Sequence, residues 1–199
     1  MRILLGALLV LGIGLCGMGC SDSDEGSSAR FVACANGVTV EDTATGLLWE
    51  RKTTTGDVHD VENLYTLGVA VLGILEPGTA YTVFLADLNT SPGFAGHTDW
   101  RLPFISELQS ILVGSGVETV ANADPPDPNS GLNATGQATT CVVQPCIDSQ
   151  FAAIGGPTAS SGYWSASSFA ADPFLAWDAA FFDGFVTNFG DKTGGFFET

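Results

Sequence analysis

The sequence predicts a single α+β domain with two helices packed on short antiparallel sheets. Composition is the first reason. Hydrophobic residues make up 45% of the 199 positions, charged residues 14%, and 25 are glycine, a balance that suits a loop-rich, strand-containing chain better than a helical bundle. The second is that two stretches carry the helical period. The third is order: strands come first, then both helices, a long loop and β-hairpins, so helices and strands are segregated rather than alternating. A chain of this length has room for one domain with its own core.

Residues 1–19 read as a leader, with Arg2, an apolar run from Ile3 to Gly19 and then an abrupt change to Ser and Asp. The run is short for a membrane span and has the layout of a secretory signal. Gly19-Cys20 followed by SDSDEGSS resembles the processing site of bacterial lipoproteins, so Cys20 is the expected lipidation site. Gly17 stands where a Leu, Val or Ile is usual; Cys16 has Ile13 at that place, but the bulky Leu15 argues against cleavage before it. The expected protein is exported to a Gram-negative cell envelope and held on a membrane by acyl chains, and Ser21 favours the outer membrane. Residues 20–30 form a tether, and the domain runs over 31–199.

VTVEDTATGLLWERK predicts strands at Val38–Val40 and Leu47–Arg51 around a turn in which Gly46 takes positive φ. Thr79 is placed to cap a helix over AYTVFLADLN, where Tyr81, Phe84, Leu85 and Leu88 form a core-facing stripe. LGVAVLGILEPG, just before it, is apolar without a clear period, and its element type stays open. The second helix follows WRLP: Ile105, Leu108, Ile111 and Leu112 share one face, Pro103 precedes the first turn, and Gly114 stands at the C-cap. Residues 121–140 read as a surface loop. GYWSASS, FLAWDAAFF and GFVTNF read as strands, the last two joined through Asp183-Gly184.

The formal net charge is −16, with only 6 basic residues. Phosphate binding needs clustered Lys and Arg, so nucleic acid is excluded as a partner. Cys141 and Cys146 in CVVQPC are expected to close a local disulfide in an oxidising compartment; Cys34 is left over or pairs with one of them. The spacing is not that of a CxxC redox catalyst.

Asp99-Trp100-Arg101 has the residue types of an anion site, but the scaffold reading is stronger. Trp100 and Leu102 belong to the core, Arg101 pairs with Glu107 or Asp99, and Pro103 sets the helix start. His59 and His97 are too few and too far apart for zinc. No cofactor is expected, and calcium is the one ion with oxygen ligands to offer, from Asp124, Asp127 and Asn129 or from Asp183, Asn188 and Asp191. Ala138 stands where an EF-hand would place its closing Glu. No GxSxG elbow and no P-loop occur.

TATGLLWERK (43–52), AYTVFLADLN (80–89), FAGHTDWRLPFISELQSIL (94–112), PCIDSQF (145–151), YWSASS (163–168), AWDAAFFDGFV (176–186) and Asp191-Lys192 come in the order found in the Lcl C-terminal domain family. The chain resembles that family across residues 31–192. The resemblance implies a C-type-lectin-like fold in which Trp49, Asp99, Trp100, Arg101, Pro103, Glu107, Tyr163, Trp164 and Trp177 are structural motif residues. WRLP before a helix is also similar to formylglycine-generating enzymes. The chain departs from the family in three places: Phe104 replaces the Ser or Thr of a capping box with Glu107, Leu85 replaces a cysteine, and GGFFET lacks the arginines and cysteine of the usual closing strand.

What the resemblance implies for function is adhesion and the binding of sulfated polysaccharides. The acidity of this chain shifts that expectation to a neutral glycan or a surface protein. The expected ligand-binding segments are 121–140 and 169–174, with Phe169 and Phe174 as stacking residues. No enzymatic activity is expected. The alternatives are a structural envelope component, a degenerate copy without ligand, or an oxidase-like enzyme dependent on Cys141 and Cys146.

Overall fold

The computed structural model describes residues 6–7, 29–114, 123–124 and 141–194. Two antiparallel sheets and a separate hairpin make up its strands. The first sheet has the order β2-β3-β4-β1-β7. Its strands are β2 (Phe31–Ala33), β3 (Thr39–Asp42), β4 (Leu47–Glu50) and β7 (Trp100–Arg101), with β1 (Gly6–Ala7), from the expected leader, lying between β4 and β7. The second, in the order β11-β10-β9-β8, contains β8 (Ala123–Asp124), β9 (Gly162–Phe169), β10 (Asp172–Ala180) and β11 (Phe185–Asp191). Among the described residues, β5 (Gly68–Val71) and β6 (Ile74–Pro77) pair only with each other. The mixture of short antiparallel sheets and few helices is α+β, as the sequence predicts.

The β9–β10 sheet is buried on both faces, which explains why YWSASS does not alternate between apolar and polar. Tyr163, Trp177 and Ala179 point into one core cluster with Trp49, Ile105, Leu108 and Phe151. Trp164 and Ala176, one residue out of phase, point into the other with Phe84, Leu88, Trp100 and Leu102. Side chains alternate between strand faces, so a strand sandwiched between two cores is apolar at successive positions.

The β3–β4 turn forms as predicted, with Gly46 at φ 72°. Asp42 organises it by accepting the Ala44 N–H at 3.1 Å, and its carboxylate also takes two donors from the Arg30 guanidinium, at 2.7 and 3.0 Å.

The first predicted helix is wound differently from expectation. Ala80–Leu85 is a π-helical turn that runs into a single α turn, α1 (Ala86–Leu88). Its wider winding buries Ala80, Phe84 and Leu88 at four-residue spacing and leaves Tyr81, expected in the core, 39% exposed. Thr79 does not cap it; its hydroxyl accepts the Thr66 N–H at 2.9 Å instead.

Helix α2 (Ile105–Ile111) buries Ile105, Leu108 and Ile111 as predicted. It ends earlier than expected, at an extended Leu112, so Gly114 is no C-cap. A Cβ on Gly114 would meet the Gly184 carbonyl oxygen at 2.7 Å, so this glycine permits a close backbone crossing. A third helix, α3 (Ser149–Ile154), is absent from the sequence prediction. Asp148 caps it by accepting the Gln150 N–H at 2.8 Å.

The unassigned apolar stretch is the β5–β6 hairpin. Its turn residues Leu72 and Gly73 have φ 52° and 81°, the double positive φ of a type I′ turn that normally takes Asn, Asp or Gly. A left-handed leucine costs about 1–2 kcal/mol, and Leu72 is 99% exposed, so its own packing returns none of that.

Candidate functional site: a cavity at the base of the hairpin

The Asp-Trp-Arg segment is scaffold. Arg101 donates from Nη1 and Nη2 to the two carboxylate oxygens of Glu107 at 2.7 and 2.6 Å, and its guanidinium lies 4.7 Å over the Phe104 ring. Glu107 also accepts the Phe104 N–H at 2.7 Å. Trp100 is buried and donates its indole N–H to the Phe94 carbonyl at 2.9 Å. Asp99 lies at the surface, 4.0 Å from His97 Nδ1. The Pro103 carbonyl accepts the Ala166 N–H at 2.7 Å, tying the helix start to β9.

The other motif residues are equally committed. Trp164 donates to the Tyr65 carbonyl at 3.0 Å, and Tyr163 exchanges two hydrogen bonds with the Ala159 backbone at 2.9 and 3.1 Å. Trp49 and Trp177 are buried in the first core cluster.

A cluster the sequence reading missed joins Glu50, Lys52 and His59. Glu50 Oε1 faces His59 Nδ1 at 2.6 Å, and since the carboxylate can only accept, that nitrogen carries the proton. Lys52 Nζ lies 2.8 Å from Glu50 Oε2, poorly aligned for a hydrogen bond, and 4.0 Å over the Phe84 ring. Burial pulls the Lys52 ammonium below its ordinary range, against the attraction of Glu50. The i, i+2 spacing of Glu50 and Lys52 puts both on one side of the chain, and that was the signal available in WERK. Both side chains are sealed inside, so the cluster neutralises itself and holds the 53–65 segment to β4.

Among the described residues, an open concavity lies where the hairpin joins the domain. It encloses about 310 Å³ against Leu67, Leu75, Pro77 and Ala166, with Tyr81 at its wall and Glu76, Ser168 and Lys192 as polar groups. Lys192 builds the junction: its Nζ donates to Ser168 Oγ at 2.6 Å and to the Pro173 carbonyl at 2.7 Å, and its own carbonyl accepts the Gly68 N–H at 2.9 Å. Gly78 permits the hairpin's return, since a Cβ there would run into the Thr66 carbonyl oxygen. Burial raises the Tyr81 phenol, which therefore stays a neutral donor at physiological pH.

Several expected site residues lie elsewhere. Phe169 packs edge-on against Trp177, 6.3 Å between centroids, so it is no exposed platform. Residues 169–174 are the tight end of the β9–β10 hairpin, not a loop. Phe174 is exposed but does not line the cavity.

Asp183, Asn188 and Asp191 cannot converge on an ion. Asp183 precedes β11 and Asp191 ends it, and seven extended residues at about 3.3 Å each keep the two ends apart. Asp183 accepts the Phe185 N–H, and Asp191 accepts from Thr193. The side chains of Asp124, Asp127 and Asn129, the rest of the 121–140 loop, Cys20 and the 195–199 end lie outside the described residues. Among the described residues, no three or more His, Cys, Asp or Glu side chains are grouped to hold a metal.

Cys141 and Cys146 form the expected disulfide, so Cys34 pairs with neither. Among the described residues, no helix is long and apolar enough to cross a membrane.

No curated protein and no solved structure matches the chain. The model of the Lcl C-terminal domain matches residues 38–197, from the start of the β3 region through the Lys192 junction. The segments that this span unites are the ones just described: the WERK strand, the DWRLP helix start, the YWSASS strand and the strand that carries Trp177. The chain belongs to the Lcl C-terminal domain family.

Proposed function

We propose that this chain is a lipid-anchored envelope protein presenting one non-catalytic binding domain of C-type-lectin-like fold, and that its ligand site is the cavity between Tyr81 and Lys192. The carrying observation is that cavity. It is the size of the smaller ligand pockets of proteins, mostly apolar with a few convergent polar groups. Tyr81 offers a half-exposed ring for stacking on the apolar face of a sugar, with Ser168 and Glu76 within the same wall.

A neutral glycan is the favoured ligand class. The net charge of −16 repels polyanions, and the ammonium that could offset it, that of Lys192, is already held by Ser168 and Pro173. Catalysis is disfavoured on similar grounds: the most perturbed group of the Glu50–Lys52–His59 cluster, Lys52, is buried against Phe84 and does not line the cavity.

Titration of the full-length protein in detergent with an array of neutral mono- and disaccharides tests the reading. Binding that Tyr81→Ala weakens at least tenfold, with unfolding unchanged, is the expected result. Absence of binding across the array, or binding indifferent to Tyr81→Ala, sinks it.

A further inference from the structure

The β5–β6 hairpin departs from the economy of the rest of the surface. From Val69 to Ile74 it reads Val-Ala-Val-Leu-Gly-Ile, six positions without a polar side chain, and every one is exposed. A hairpin with one face on a core alternates apolar and polar residues. This one is apolar on both faces and at its tip, with Val71 49%, Ile74 63% and Leu72 99% exposed. Its most exposed residue is also the one whose backbone conformation disfavours leucine. Glycine or asparagine would close the same turn with less strain, so the leucine side chain is there for what it touches.

We propose that the hairpin tip inserts into the hydrocarbon boundary of a lipid bilayer. The size and chemistry of the tip separate this from a protein contact. A stable protein interface takes about 20–30 residues a side and carries a polar rim. The tip has six residues, is convex, and meets its first charge only at Glu76, at the base of β6.

The length also fits. Three residues per strand arm at about 3.3 Å each reach about 10 Å, the depth to which interfacial apolar elements bury themselves. The Gly68 N–H to Lys192 carbonyl bond ties the hairpin to the domain beside the Tyr81 cavity, so insertion would bring that cavity toward the headgroups. The inference rests on the membrane-anchoring part of the proposed function, which brings a bilayer within reach, and is independent of what the cavity binds.

The test uses the full-length lipidated protein in phosphatidylethanolamine–phosphatidylglycerol vesicles, with and without bromine on the acyl chains. The four native tryptophans are all buried, so Leu72→Trp adds one indole whose emission is read by difference; Ile74→Trp is the second probe position. Unchanged thermal unfolding shows that neither substitution disturbs the fold.

The expected result is at least twofold quenching of the added emission by brominated lipid, together with protection from aqueous acrylamide. Protein that floats with the vesicles while the added indole stays open to acrylamide overturns the insertion and leaves the anchor standing. An indole shielded from acrylamide yet untouched by bromine assigns the tip to a protein contact and overturns it as well. Protein that does not float with vesicles at all overturns both the anchor and the insertion.

Discussion

Ser167 Oγ, on β9, accepts the backbone N–H of Ile105 at 3.1 Å across 62 positions of sequence. Ile105 opens helix α2, and Phe104 before it has no oxygen with which to cap a helix. The sheet thus supplies an acceptor for the first N–H of the helix, one that a local cap residue, which reaches the second or third N–H, does not serve. Glu107 accepts the N–H before it, that of Phe104.

Ser167→Ala should therefore destabilise the domain by about 1–2 kcal/mol, the usual loss for an orphaned buried donor. Urea unfolding measures it. Adding Phe104→Ser to Ser167→Ala should not recover the loss, because a local cap serves the second or third N–H and the change removes the ring under Arg101; full recovery would show that Ser167 acts as an ordinary cap.

The Arg101–Glu107 pair is bidentate, partly shielded and stacked on Phe104. Arg101→Lys keeps the charge but loses the fork and the planar stacking, so it should cost about 1–2 kcal/mol rather than behave as a conservative change. A denaturation midpoint unchanged by Arg101→Lys would mean that charge alone carries the contact.

Asp178 gives the domain a pH dependence. Burial pushes its carboxyl up to about 7, against the hydrogen bond it accepts from Thr187 at 2.8 Å and with a smaller push from Asp183. The folded chain thus holds a proton that the unfolded chain releases near the ordinary 3.8. Its contribution is most favourable below about pH 4, falls as pH rises toward 7, and levels off above that. Asp178→Asn should leave stability at pH 4 nearly unchanged and raise it at pH 8 by about 2–4 kcal/mol. Equal effects at both pH values would place the cause in packing rather than in titration.

The Cys141–Cys146 bond closes a short loop, with a sequence separation of 5. In the chain-entropy account a loop of that size contributes about 2 kcal/mol. Cys141→Ser with Cys146→Ser should lower the unfolding midpoint by that order without preventing folding. Loss of cooperative unfolding would instead make the Val113–Cys146 and Cys146–Phe181 backbone contacts dependent on the bond.

The β3–β4 hairpin and α2 were legible because each carries a local signal: a turn glycine at Gly46 for the first, period-3.6 burial and a proline ahead of Ile105 for the second. Tyr81 was misread because helical wheels assume one winding, and a π-helical turn rotates the stripe away from it. α3 was missed because six residues around one buried Phe151 give no period to detect.

The cavity was illegible for a different reason. Its walls come from Leu67, Tyr81, Ser168 and Lys192, residues that share no motif and meet only through the docking of the hairpin on β9 and β11. The Glu50–Lys52–His59 cluster hid in the same way, since the histidine reaches β4 from a separate segment.

By itself the sequence determined the class of fold, the family, the acidic surface and the local disulfide, all of which follow from composition or from neighbours in the chain. Only the tertiary structure decided which aromatic packs against the core and which is offered, as with Phe169 and Tyr81, and that the first N–H of α2 is taken by Ser167. Those outcomes depend on side chains far apart in sequence competing for the same space, and no local pattern records who wins.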